Sequence, residues 1–334
     1  MKKRNIIILI VSIILLLICF CLGVTLGRYN IRIDRFFKAV FTSDSSVNME
    51  RSIIMKLRLP RTLIAGLSGM SLAISGLLYQ ETFQNKLVSP DLLGVSNGAG
   101  VGAALAIVLG LSSFFISAFA FIIGVGTVIA TSFIAKLFRN KSTIMLPLSG
   151  IIASGLMSSI LSLIKYFAHP ETQLSDITYW LMGSFANTTM NEVLILFIVV
   201  LISSSFLIIF RFRINYLALG EEEAISKGLN YKLYRSIVII IATLLTALTV
   251  SFSGTISWIG LVIPHIVRIV CKRRNTMDTI PICLTFGGIF MIAVDILSRI
   301  FTTNEIPLSA VTGLFGTVIF IVLLIIGRRK LYDY

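Results

Sequence analysis

The stretch SGTISWIGLVIPHIVR, residues 253–268, decides the fold. It is an apolar run interrupted by Gly254, Gly260 and Pro264, it carries His265, and it ends on Arg268. Broken helices of this kind are tolerated in a membrane where protein or a cavity covers the freed backbone groups. Interrupted apolar segments also mark transport pathways. His265 reads first as a local hydrogen-bonding group that steadies the break, and second as a substrate or proton site.

Working outward, the flanking stretches 237–252 and 280–297 are apolar too, and the pattern repeats along the chain. A spanning helix needs about 20 mostly apolar residues. Ten segments approach this: 6–26, 62–79, 94–111, 114–137, 144–167, 193–210, 237–252, 256–270, 280–297 and 308–326. The eighth is the shortest and contains the break. The first follows Met1-Lys2-Lys3-Arg4 in the manner of a signal peptide. It is too long for a signal core and no small-residue cleavage site follows, so it reads as a span. The expected fold is all-α and polytopic, with about ten transmembrane helices in one domain covering residues 1–334.

Composition agrees. Hydrophobic residues make up 56% of the chain and charged residues 13%, about half the share a soluble domain carries. The net charge of +14 is scattered in short clusters between apolar runs, which suits the positive-inside rule better than a nucleic-acid surface. An even number of spans puts both termini on one side. Most of the 29 basic residues then fall on the terminal side, which reads as cytoplasmic. The exception is the first external segment, with Arg28, Arg32, Arg35, Lys38, Arg51, Lys56, Arg58 and Arg61. Its apolar pairs, Phe36-Phe37 and Ile53-Ile54, suggest a short helix lying on the membrane.

Several chemistries lack their residues. No GxxxxGK[ST] loop is present to cradle ATP phosphates. The two histidines, His169 and His265, are far apart, so a histidine metal site is not expected. Cys19, Cys21, Cys271 and Cys283 form no CxxC pair and read as buried thiols. Among ionisable residues within spans, Asp295 and Arg299 sit at i and i+4 and can pair on one helix face. Glu81 and Lys165 lie near span ends, within reach of water.

Three stretches stand out against this background. The first is Arg58-Leu59-Pro60-Arg61, followed by SGLLYQETFQNKLVSPDLLGVSNGAGVGAAL from Ser75. The second runs from Leu219-Gly220-Glu221 through Ala224 to Gly228. The third is the broken run itself. Together they resemble the FecCD family, the iron-siderophore, haem and cobalamin permeases of type II ABC importers, from about Arg58 to the C-terminus. Asn85 is followed by Lys86 where that family usually has proline. The resemblance implies a permease without covalent chemistry or cofactor, working as a homodimer or pseudo-dimer with a separate ATP-binding cassette ATPase and an extracellular binding protein. It assigns Arg58, Arg61 and Arg299 to binding-protein docking. It assigns Leu219, Gly220, Glu221, Ala224 and Gly228, within a cytoplasmic segment 211–235, to ATPase coupling. It assigns the loops at Asn85 and Leu87 and at Ser142 and Thr143 to cytoplasmic gating. Ala224 and Gly228, four apart, are expected to share a docking face. The alternative class is an ion-coupled secondary transporter, for which Asp295 is the clear mid-span acid.

Overall fold

A computed structural model describes residues 3–27, 29, 31–42, 45–138, 145–271, 279–301 and 305–331; among them there is no β-strand. The α-helices in chain order are α1 (Lys3–Thr25), α2 (Ile33–Phe41), α3 (Asn48–Ser52), α4 (Leu59–Thr82), α5 (Val95–Val108), α6 (Ser113–Leu137), α7 (Met145–Phe167), α8 (Gln173–Met182), α9 (Met190–Ile209), α10 (Arg211–Asn215), α11 (Glu221–Ser226), α12 (Tyr231–Ser253), α13 (Ile259–Cys271), α14 (Ile280–Ile300) and α15 (Leu308–Leu331).

Eight helical runs among the described residues are long and apolar enough to cross a membrane: α1, α4 with the turns that lead into it, α6, α7, α9, α12, α14 and α15. α5 and α13 are apolar but span only 14 and 13 residues. At 1.5 Å per residue they reach about 20 Å, short of the roughly 30 Å hydrocarbon layer. The ten expected segments are all present as helices, two of them short. α8 is an additional element: ten residues, too short to span, inserted between α7 and α9.

α4 is the axis of the molecule. Its spanning window is 83% buried, against 11% for α1. Without a hydrophobic force between helices in lipid, close packing needs small residues at the crossings, and α4 supplies them. A Cβ on Gly69 would lie 2.0 Å from the Gly287 carbonyl oxygen of α14, and one on Gly76 would lie 1.8 Å from that of Gly260 on α13. Against α12 the seam is polar: Ser75 Oγ meets Thr246 Oγ1 at 2.6 Å and Tyr79 OH meets Thr243 Oγ1 at 2.9 Å. The glycines after Pro90 serve the same end for α5 on α6. A Cβ on Gly98 would reach Thr127 Oγ1 at 2.1 Å, and one on Gly102 the Phe119 oxygen at 2.3 Å.

Successive spanning elements, the short α5 and α13 included, alternate in direction. Arg4 at the start of α1 donates to the Cys271 carbonyl at the end of α13 (2.7 Å), while Gly23 near the end of α1 accepts from Arg299 at the end of α14 (2.6 Å). The molecule therefore has an arginine end, where α4 begins, and an opposite end, where α1 begins, α4 finishes and residues 211–230 lie.

Over the arginine end sits a small cap. α2, α3 and a wide turn with i→i+5 hydrogen bonding, Ile53–Arg58, pack Ala39, Val47 and Ile54 onto Val24 of α1, with Phe20, Phe36 and Val40 alongside. The expected membrane-lying helix is thus amphipathic, but its apolar face is spent on the chain's own cap, and Arg35, Phe37 and Lys38 point outward.

Candidate functional site

At the arginine end, the three arginines expected to dock a partner are brought together but turned inward. Arg58 donates to the carbonyls of Thr25 (2.5 Å), Val24 (3.4 Å) and Tyr29, closing the end of α1. Arg61 is 9% exposed. Its Nε donates to Asp295 Oδ1 at 2.7 Å, and its Nη1 and Nη2 meet the Glu305 carboxylate at 2.5 and 3.2 Å. Arg299 pairs with Asp295 across one helical turn at 3.3 Å, as the i, i+4 spacing predicts, and holds Gly23. Two arginines thus bracket one buried carboxylate, and Glu305, ahead of α15, completes the neutralisation. Ser184 Oγ also reaches Glu305 at 3.4 Å. Glu305 was not singled out in the sequence. It stands in a polar break between spans, 244 residues from Arg61, and no local pattern announces such a pair.

The cations presented outward at this end lie on the cap instead. Arg32 and Arg35 have side chains 81% and 54% exposed, and Lys38 and Lys56 are exposed. Arg35 is tied to the buried Glu50 of α3 at 2.7 Å.

At the opposite end the segment 211–235 folds as α10, a tight turn over Tyr216–Leu219, then α11, before α12 begins. Gly220 turns the chain with φ +100°. α11 ends in a Schellman-type cap: Gly228 takes φ +78°, its N–H bonds the Ile225 carbonyl, and the Leu229 N–H bonds that of Ala224. Ala224 and Gly228 therefore do not share an outward face. Ala224 is fully buried against the chain's own core, whereas Leu219 (43%) and Ile225 (55%), on either side of it, are exposed apolar groups, as are Phe212 and Leu233 elsewhere in the segment, and Gly228 is open. Glu221 opens α11 half-buried.

The turn after α4 adjoins this segment. Gln84 adopts φ +51° and its amide donates to the Ala218 carbonyl at 3.2 Å. Asn85 is exposed, and its Oδ1 accepts from the Leu87 N–H at 2.9 Å. This closes the turn with a side-chain bond where the family's proline would stiffen it. Leu87 is 63% exposed. Ser142 and Thr143 lie outside the described residues. Behind the turn, Gln80 bridges elements: its amide donates to the carbonyls of Val88 (3.2 Å) and Gly260 (3.3 Å), its oxygen accepts from Arg268, and Glu81 stands 3.5 Å from Arg268.

Between the two ends the run is discontinuous, but not where the sequence placed the break: Gly260 and Pro264 lie inside the continuous helix α13, and the interruption comes before it, between Gly254 and Trp258. α12 stops at Ser253, Gly254 takes φ +70° and Trp258 φ +71°, and α13 resumes at Ile259. The exposed backbone is covered by protein, as a membrane requires. Ser184 N–H bonds the Ser253 carbonyl at 2.9 Å, Thr255 Oγ1 bonds that of Leu181, and Trp258 packs on Gly316 of α15. α8 is the element that covers the break. The local hydrogen bond expected of His265 is absent at Nδ1, which is buried without a partner among the described residues; the ring stands 5.8 Å from that of Phe320. Beside the break, at the arginine end, lies a cavity of about 460 Å³ bounded by α8, the end of α12, the start of α9 and the α5–α6 turn.

Among the described residues no three His, Cys, Asp or Glu side chains cluster in a way that could hold a metal ion. The arrangement offers a spanning bundle with one broken element and distinct surfaces at its two ends. Comparison with known proteins agrees over most of the chain. The FecCD transport family matches residues 15–326. The molybdate import system permease protein MolB of Haemophilus influenzae is 34% identical over 313 residues, 93% of each chain. A probable iron chelatin transport system permease protein of Helicobacter pylori is 36% identical over 274 residues, 81% of this chain and 82% of its own. A solved structure described as an inward-facing conformation of a metal-chelate type ABC transporter superposes with a TM-score of 0.85 at 35% identity, covering 95% of this chain and 98% of that one.

Proposed function

The chain belongs to the FecCD transport family, and from that membership we propose that it is the permease subunit through which an ATP-driven importer moves an iron chelate into the cell. It is a multi-pass membrane protein and a transport component. The observation that carries the substrate reading is the fold-wide likeness to the metal-chelate transporter, with a TM-score of 0.85 at 35% identity. A bulky chelate needs a pathway through a broken, small-residue bundle more than it needs a tight ligand cage.

In this reading the arginine end faces outward and residues 211–235 face the cytoplasm with both termini, in keeping with the distribution of basic residues. A second permease copy, a separate ATPase and an external binding protein complete the machine. The ATPase meets Leu219, Ile225 and Gly228. The binding protein docks at the end that carries Arg58, Arg61 and Arg299. Since these arginines already hold internal partners, docking by a carboxylate proceeds by exchange, Arg61 leaving Glu305 for the incoming group. Asn85 and Leu87, exposed beside the coupling segment, belong to the cytoplasmic gate.

The test is uptake of a radio-iron chelate into proteoliposomes containing the permease, its ATPase and its binding protein. Transport is expected only with all components and ATP, and the purified permease alone hydrolyses none. ATP hydrolysis by the chain alone, or iron uptake that persists on an ion gradient with an inactivated ATPase, would overturn the proposal in favour of a secondary transporter.

A further inference from the structure

A second cavity, of about 650 Å³, lies away from the broken run, where α1 and α9 flank α4. Its walls are Leu17 and Phe20 of α1 and Leu194 and Phe197 of α9, over a floor of Gly66 from α4 and Ile292 from α14. Leu17, Leu194 and Phe197 are exposed, and all four helices cross the membrane, so the cavity opens sideways to lipid. It occupies one half of the bilayer. Its deepest residues, Leu16, Met70, Phe197 and Ile292, stand seven to eleven residues from the helix ends at the arginine end, about 10–17 Å at 1.5 Å per residue. Half of the hydrocarbon layer is about 15 Å. Further in the cavity is closed. Leu16 and Met70 converge over Gly288, a Cβ on which would lie 3.0 Å from the tip of each, and one turn on Ser12 meets Thr285 at 2.8 Å. The polar lining, Thr62 and the exposed Asn191, lies at the mouth. Phe20 belongs both to the cavity and to the apolar cluster of the cap, so the mouth runs under the cap. There Arg32 is matched by Asp34 and Arg35 by Glu50. Lys56, exposed on the turn Ile53–Arg58 that leads into α4, has no carboxylate partner among the described residues.

We propose that this cavity binds one anionic glycerophospholipid from the leaflet at the arginine end, with an acyl chain laid between α1 and α9, its ester groups at Asn191 and its phosphate at Lys56. The dimensions select the occupant. A spanning helix, whether from a partner or from a second copy, needs a groove that crosses the whole layer of roughly 30 Å, and this one ends at Leu16 and Met70. An acyl chain hung from the headgroup level needs one leaflet. Lipid tails are as apolar as the lining, so the hydrophobic effect gives the bound chain no advantage over bulk lipid. Selection falls to the mouth, where an ammonium group and an amide favour a phosphate of net negative charge over a zwitterion. α1, whose spanning window is only 11% buried, gains through this lipid a lateral neighbour on the side of α9. Lipid binding here is independent of the solute transported.

The test is native mass spectrometry of the full-length chain, released from detergent after equilibration with equimolar phosphatidylglycerol and phosphatidylcholine. One lipid per chain is expected to survive release, with phosphatidylglycerol about fivefold ahead, as one basic residue at the headgroup level provides. Leu194→Trp fills the cavity from its lipid-facing wall and is expected to abolish retention of both lipids. Lys56→Gln is expected to keep retention and lose the preference, while Lys136→Gln, on the exposed far end of α6, changes neither. Retention unchanged in Leu194→Trp, or a preference that Lys136→Gln reduces as much as Lys56→Gln does, would make the lipid an annular one and overturn the site. A wild-type chain that keeps no lipid but forms dimers that Leu194→Trp dissolves would overturn it too, giving the groove to a second copy. Should Leu194→Trp fail to fold, the contrast between Lys56→Gln and Lys136→Gln decides.

Discussion

Arg61 is the residue whose surroundings most change its meaning. In the sequence it is a basic residue on an external segment; in the structure it is the guanidinium that neutralises a carboxylate in the core. Asp295 is fully buried and shared between Arg61 and Arg299. Removing one partner of such a pair leaves an uncompensated buried charge, at about 3–5 kcal/mol. Arg61→Met is therefore expected to lower the melting temperature of the purified chain by several degrees, whereas Lys38→Met on the exposed cap leaves it unchanged. A melting temperature unaltered in Arg61→Met would return Arg61 to the role of a dispensable surface arginine. Glu305→Gln separates the docking role from the structural one. It loosens the hold on the outer fork of Arg61 without stranding Asp295, and binding-protein affinity is expected to rise. An affinity that stays level or falls would remove Arg61 from the docking set.

Among the elements, α11 shows what sequence spacing conveys and what it misses. Residues 219–228 read correctly as short, charged and helical. The inference that Ala224 and Gly228 share a face assumed a helix continuing through both, but the helix ends at Ser226 and Gly228 caps it. The face available to a partner is set by Leu219 and Ile225. Leu219→Glu with Ile225→Glu is expected to weaken co-purification with the ATPase about tenfold or more, as truncation at an interface anchor does, while membrane insertion is kept. Undiminished co-purification would make the segment a solvated loop. The spans themselves were legible because twenty apolar residues in a row have few other fates. α8 was not, because a ten-residue amphipathic helix carries no such signature, and it is recognisable only once the break at Gly254–Trp258 is seen to need a cover. The buried pairing of Arg61 with Glu305 and the bridging by Gln80 were equally out of reach, since partners more than a hundred residues apart leave no periodic trace.

At the scale of the whole molecule, the alternation of spanning elements, α5 and α13 included, brings the start of α1 to the same end as residues 211–230, and α15, which starts beside Gly183 at the arginine end, runs toward it. Cysteines introduced at residue 3 and at Gly228 are expected to be shielded from a membrane-impermeant maleimide in intact cells, and one introduced at residue 38 to react. Labelling at residue 3 from outside would invert the orientation. The fold also has a consequence for its own making. α1 is made before the other described helices, yet two of its hydrogen-bonding partners, Thr285 and Arg299, come late. Ser12 meets Thr285 at 2.8 Å, and the carbonyls at its far end wait for Arg58 and then for Arg299. Until α14 has been synthesised, the first helix has its last carbonyls held by Arg58 and its tip under the cap, but its Gly23 carbonyl and Ser12 lack their partners and the face that meets α14 is uncovered. Chains interrupted before residue 280 therefore carry a loose leading helix, a ready handle for membrane quality-control proteases, and completion of α14 is the step that withdraws it.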